Sequence, residues 1–144
     1  MNELDEIYND IVMDHYMLSP NKKDLKDYTY CLKGHNPSCG DEIDIKVKMN
    51  KGIIEDMAFT GKGCAISISY TSILIDLIKG KTVKEAKEII DNFFKMIKKD
   101  KDYNKDILED SVVFENIGNL PARIKCATLA HRTLESILKD SENT

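Results

Sequence analysis

The stretch "DEIDIKVKMNKGIIEDMAFTG", residues 41–61, decides the fold. Ile43, Ile45, Val47 and Met49 alternate with Glu42, Asp44, Lys46 and Lys48. That period of two marks a strand with one buried face. Asn50, Lys51 and Gly52 follow as a hairpin turn, with a glycine to take positive φ. Residues 53–61 then read as the return strand. Upstream, "YTYCLK" at 28–33 predicts a shorter strand, so the three form an antiparallel meander.

Helices are expected on both sides of this sheet. Leu4, Ile7, Tyr8, Ile11, His15 and Leu18 recur at helical spacing and predict an amphipathic helix over 3–18 with those residues as its buried stripe. "SPNKKD" at 19–24 ends it. After the sheet, "AISISYTSILIDLIKG" reads as a long apolar helix that stops at Lys79 and Gly80. "TVKE" at 82–85 fits a capping box, with Thr82 as N-cap and Glu85 at the third helical position. Val83, Ala86, Ile90, Phe93, Phe94 and Ile97 give that third helix its apolar stripe. Residues 98–106, "KKDKDYNKD", read as a charged loop. The last helix is expected to begin at Pro121, the favoured first position, and to bury Ile124, Ala127, Leu134 and Leu138, with "SENT" as a frayed tail. The order is that of an α+β chain: a three-stranded antiparallel sheet packed with an N-terminal helix and several C-terminal helices. No repeat or linker interrupts it, and residues 1–144 are expected to form one domain.

Composition narrows the function. The chain has 144 residues, 42% of them hydrophobic and 32% charged, with a net charge of -4. That balance argues against a general attraction to nucleic acid. No apolar run reaches the ~18 residues of a membrane span, and the acidic start "MNELDEIYND" is no secretory signal. The cytoplasm is the expected compartment, where the four cysteines are thiols or metal ligands rather than disulfides.

Three of those cysteines stand at element boundaries. Cys39 lies in the loop before the second strand, Cys64 where strand gives way to helix, and Cys126 on the second turn of the last helix. They are expected at exposed, positioned places. Their separations of 25 and 62 residues match no zinc-finger knuckle, and free cysteines also serve as small buried hydrophobes. Asp41 strengthens the metal reading. In extended chain it projects to the same side as Cys39, and three thiolates with one carboxylate make a tetrahedral set that zinc accepts. Arg123, three residues before Cys126 on one helix face, would offset the negative charge, with Lys125 adjacent. Cys64 gains from the helix dipole, which favours thiolate. His35 competes with Asp41 for the fourth position, and a solvent molecule is a further alternative. Cys31 is expected to be packed in mid-strand, and His15 to be half-buried and hydrogen-bonded. His131, roughly 140° round the helix from Cys126, should face the core or a partner.

"NPSCGD", "GCAIS" and "LPARIKCATLA" resemble the three signature segments of the IscU/NifU-type iron–sulfur scaffold superfamily, each carrying its cysteine. "DHYMLSPNKK" resembles that family's N-terminal segment, with Lys22 or Lys23 where an arginine is usual. Lys125 stands where IscU-type scaffolds carry a histidine, and the long second gap resembles the insertion of the SufU branch. The resemblance implies a zinc-dependent sulfurtransferase that accepts persulfide sulfur from a PLP-dependent, SufS-like cysteine desulfurase and passes it toward a downstream iron–sulfur scaffold. It implies Cys39, Asp41, Cys64 and Cys126 as zinc ligands, Cys39 as the sulfur acceptor and Arg123 as a charged residue of the reacting site. No nucleic acid and no membrane take part in that activity. Two alternatives keep the same ligands: a scaffold that assembles a [2Fe–2S] cluster, and a structural zinc domain that only binds partners.

Overall fold

The computed structural model describes residues 9–36 and 40–142. Its elements are α1 (Asp10–Met17), β1 (Tyr30–Asn36), β2 (Asp41–Asn50), β3 (Ile53–Lys62), α2 (Ala65–Ile78), α3 (Val83–Ile97), a 3-10 segment (Lys105–Asn119) and α4 (Pro121–Glu142). The sheet is the expected antiparallel meander in the order β1-β2-β3. Ile43, Ile45 and Val47 are fully buried on its inner face. Lys51 (φ 52°) and Gly52 (φ 78°) both take positive φ at the tip, the backbone of a two-residue hairpin whose twist matches its strands.

The first strand runs two to three residues later than its sequence suggests, over Tyr30–Asn36. Tyr30 and Leu32 turn inward and pack on the core. Cys31 between them is therefore exposed, not packed as expected. The two edges of the sheet differ. The chain before β1 runs alongside β3: Lys23 N–H donates to Phe59 C=O at 2.9 Å, and Phe59 N–H to Asn21 C=O at 3.0 Å. Met57, Ala58 and Phe59 are all buried in a row. Among the described residues nothing pairs in the same way with the outer edge of β1.

The inner face of the sheet packs on α2 and α4. Helix α2 is buried almost all round, including Ser67, Ser69, Thr71 and Ser72. Buried hydroxyls need acceptors, and here Thr71 Oγ1 donates to Ser67 C=O at 2.6 Å and Ser69 Oγ to Ile66 C=O at 3.3 Å. Ser72 is the anchor for α1. His15 Nδ1 lies 2.8 Å from its Oγ, Ser19 Oγ donates to it at 2.7 Å, and Asn21 Nδ2 reaches its carbonyl at 3.0 Å. His15 is thus half-buried and hydrogen-bonded, as expected. The stripe predicted for α1 is corrected: Val12 is the buried residue, while Ile11 (38%) and Leu18 (77%) are exposed. The polar network around Ser72, rather than an apolar stripe, sets which side of α1 faces in. Leu4, Ile7 and Tyr8 lie outside the described residues.

The capping box at the start of α3 is present, with Glu85 N–H donating to Thr82 Oγ1 at 3.1 Å and Thr82 N–H to Glu85 Oε1 at 3.2 Å. Its buried face takes in Ile89 and Met96 beyond the predicted stripe, and Phe94 is only partly covered. The segment 105–119, given no element by the sequence, is two stretches of 3-10 helix broken at Glu109 (φ 44°), which bury Leu108, Phe114 and Ile117. Helix α4 starts at Pro121 and continues to Glu142, taking in the first two residues of the expected tail; Asn143 and Thr144 lie outside the described residues. Ala127, Leu134 and Leu138 are buried as expected, and Ile124 partly so. No helix among the described residues is long and apolar enough to cross a membrane.

Candidate metal centre

Asp41, Cys64 and Cys126 come from three different elements and converge. One ligand atom of each lies within 4.8 Å of the other two. Asp41 opens β2, and its carboxylate is fully buried. Oδ1 accepts from the Cys64 backbone N–H at 2.8 Å, and Oδ2 lies 3.7 Å from Cys64 Sγ. Cys64 is the N-cap of α2, with its Sγ 3.5 Å from the Ser67 N–H. A helix N-terminus offers amide protons and a positive dipole end, both of which favour thiolate. Cys126, on the second turn of α4, is 1% exposed. That corrects the expectation of an exposed position: α4 lies against α2 and β1 and carries the thiol inward.

Gly63 makes the approach of these elements possible. A Cβ there would meet Ser67 Oγ at 2.6 Å and Asp41 Oδ1 at 2.8 Å. Sequence reasoning named neither Gly63 nor Ser67 as part of the site. The signal was available in "GKGC", a glycine directly before a helix-capping cysteine.

The geometry suits zinc. Bonds of about 2.3 Å to sulfur and 2.1 Å to oxygen at a tetrahedral angle put the two ligand atoms about 3.6 Å apart. The Asp41–Cys64 separation is 3.7 Å. Asp41, Cys64 and Cys126 could therefore hold a metal. Cys39 lies outside the described residues.

His35, the competitor to Asp41, does not join this cluster. Its side chain is 54% exposed on β1, with Nε2 4.0 Å from Glu42 Oε1. Arg123 is half-buried in the first turn of α4, and Lys125 is exposed. His131 faces the core as expected. It is fully buried, with Nε2 2.7 Å from Tyr70 Oη, and is ringed by Tyr70, Phe93 and Phe94. Burial lowers its pKa to about 3, so the ring is neutral.

Comparison with known proteins agrees with this architecture. Over 92% of its length the chain is 38% identical to the zinc-dependent sulfurtransferase SufU of Bacillus subtilis, covering 89% of that protein. It is 33% identical to the iron–sulfur cluster assembly scaffold protein IscU of Streptococcus pyogenes, over 99% of this chain and 89% of that one. The crystal structure of an iron–sulfur cluster assembly scaffold protein for the SUF system from Fervidobacterium islandicum superposes with a TM-score of 0.86 at 34% identity, covering 92% of this chain and 96% of that chain. A NifU-like protein from Brucella abortus shares the fold at 21% identity, with a TM-score of 0.88 over 99% of both chains. Residues 7–127 match the profile of the NifU-like N terminal domain, and the chain belongs to that family.

Proposed function

We propose that this chain is a zinc-dependent sulfurtransferase of the SufU kind, which accepts persulfide sulfur from a cysteine desulfurase in the cytoplasm for iron–sulfur cluster assembly. The observation that carries this reading is the convergence of Asp41, Cys64 and Cys126 within 4.8 Å around a buried carboxylate. The 38% identity to a zinc-dependent sulfurtransferase supports it.

In this reading Cys39, Asp41, Cys64 and Cys126 hold the zinc. Zinc held by these residues would keep the bound thiols deprotonated at neutral pH. Three thiolates and one carboxylate with a divalent ion leave a net negative site, which Arg123 in the first turn of α4 offsets. Cys39 is the sulfur acceptor. Its thiolate attacks the outer sulfur of the donor persulfide, a new S–S bond forms to Cys39, and the donor's own S–S bond breaks. The donor cysteine leaves as thiolate with the bonding pair, and the transferred sulfur keeps its proton. No net oxidation occurs. Cys64 and Cys126 are anchored by α2 and α4 and stay as ligands. The downstream recipient is an iron–sulfur scaffold.

Alanine release by the cognate desulfurase tests the proposal, with this protein added zinc-loaded or zinc-stripped. Acceleration by the zinc form, lost in Cys39→Ala, is the expected result. No acceleration by the zinc form would refute it.

A second reading has support of its own. The 33% identity to IscU scaffolds and the suitability of the same thiolates for iron favour assembly of a [2Fe–2S] cluster on these ligands. Anaerobic reconstitution would then give the absorption bands of a stable cluster.

A further inference from the structure

We propose that the groove between β1 and α4 docks an acidic, extended segment of a partner protein, which adds to the outer edge of β1 as a fourth strand. The groove has a volume of about 400 Å³. Leu32 and Leu129 form its apolar floor, and every charged side chain along it is basic or imidazole: Lys33, His35, Lys125 and Arg132. This is notable in a chain whose net charge is -4.

Some lysines elsewhere in the fold pair with carboxylates, such as Lys46 with Asp24, Lys48 with Asp27 at 2.9 Å and Lys79 with Asp56 at 3.1 Å. Lys33, Lys125 and Arg132 are exposed and have no such partner among the described residues. Their charges are available to an acidic ligand, and Arg132 can hold a carboxylate through two N–H groups.

The backbone supplies the second half of the site. The far edge of the sheet is covered at two points, by residues 21–23 at Phe59 and by residues 80–81 at Ile54. Among the described residues β1 is the open edge. An open edge presents unpaired N–H and C=O groups that an extended peptide can satisfy, while flanking side chains choose its sequence. The two walls match in length. Residues 32–36 of a strand span about 13 Å, and residues 125–136 of a helix span about 16 Å.

The groove also ends at the candidate metal centre. Asn36 is the register partner of Asp41, and Lys125 directly precedes Cys126. A docked segment would therefore set whatever follows it beside the ligands. That this partner is the sulfur donor rests on the sulfur-transfer reading above; the docking does not.

The first test uses zinc-loaded full chain and a fluorescein-labelled peptide of alternating glutamate and valine, seven residues long, with a lysine-for-glutamate peptide as control. Anisotropy should show binding of the glutamate peptide only. The Lys33→Glu, Arg132→Glu double variant should weaken it tenfold or more and accept the lysine peptide instead. Both side chains are exposed, and unchanged circular dichroism and zinc content would confirm the fold. Amide exchange should slow at the outer edge of β1 when the glutamate peptide binds. Equal binding of both peptides, or of neither, would overturn the proposal and leave Lys33 as a guard against self-pairing of the edge. The second test adds the desulfurase. The double variant should raise the KM for this protein about tenfold at unchanged limiting rate. An unchanged KM would overturn the donor as the partner, while failure of the wild-type chain to accelerate the desulfurase would refute sulfur transfer and leave the peptide result to decide docking.

Discussion

The carboxylate of Asp41 grips Cys64 at two points: one oxygen accepts the Cys64 backbone N–H at 2.8 Å, and the other lies 3.7 Å from its Sγ. The first strand residue of β2 thereby fixes the first turn of α2, and a single side chain joins local folding to the metal chemistry. Asp41→Asn separates the two roles. The amide oxygen can still accept from Cys64, so the metal-free protein should keep its fold and melt within a few degrees of wild type. Loss of the anionic ligand should lower zinc affinity by about tenfold or more, read by competition with a coloured chelator. Unchanged affinity would remove Asp41 from the site.

Gly63→Ala should damage the site more than the fold. Its Cβ would press on Ser67 Oγ and Asp41 Oδ1. Ser67 can turn away, but Asp41 is held by Cys64. The expected outcome is weaker zinc binding with a destabilisation of about 1–3 kcal/mol, measured by chelator competition and denaturant unfolding on the same sample.

Metal removal should lower stability, because a ligand set that exists only in the folded chain links binding to folding. Cys126→Ser, at a 1% exposed position, should bring the Tm of the zinc-loaded protein close to that of the stripped wild type. Stripping the variant further should then change little. A variant with wild-type Tm and zinc content would place Cys126 outside the centre.

His131 gives a pH signature. Its pKa is about 3 in the folded chain against an ordinary value of 6.5. Between these values the unfolded chain binds a proton that the folded chain refuses. This contribution to stability is therefore fully present above pH 6.5 and is lost as the pH falls toward 3, by up to about 1.4 kcal/mol per pH unit. His131 Nδ1 also has no hydrogen-bond partner among the described residues. With Tyr70 donating its O–H to Nε2, the proton on Nδ1 is the one orphan. His131→Phe in a Tyr70→Phe background should flatten the stability profile between pH 6 and 4 relative to Tyr70→Phe alone, as urea unfolding at stepped pH would show.

Thr82→Ala should cost about 1 kcal/mol, the usual worth of an N-cap, and lower the Tm by roughly 3 °C. Zinc affinity should not change, since α3 contributes no member of the cluster. Calorimetry and chelator competition together check both halves.

The hairpin β2–β3, the capping box at Thr82 and the start of α4 at Pro121 were legible because each rests on local physics: side-chain alternation, a turn glycine, a reciprocal cap, and a proline that needs no N–H. Asp41, Cys64 and Cys126, which converge in the fold, were legible as candidates from their residue types at element ends; Cys39 lies outside the described residues. What lay beyond the sequence was every property that needs two distant segments at once. Cys31 faces solvent because the register sets it opposite Lys46, while Tyr30 and Leu32 lie opposite the buried Val47 and Ile45. The exposed Ile11 and Leu18 follow from the hold of Ser72 on His15, 57 positions apart in the chain. Cys126 is buried, and Asp41 rather than His35 meets it, because α4 lies across the sheet. Sequence by itself determined which residues are of a metal-binding type and which local elements present Asp41, Cys64 and Cys126. Only the tertiary structure decided which of them meet, which edge of the sheet stays open, and where the basic side chains gather, since burial and charge environment are set by packing between segments rather than by order along the chain.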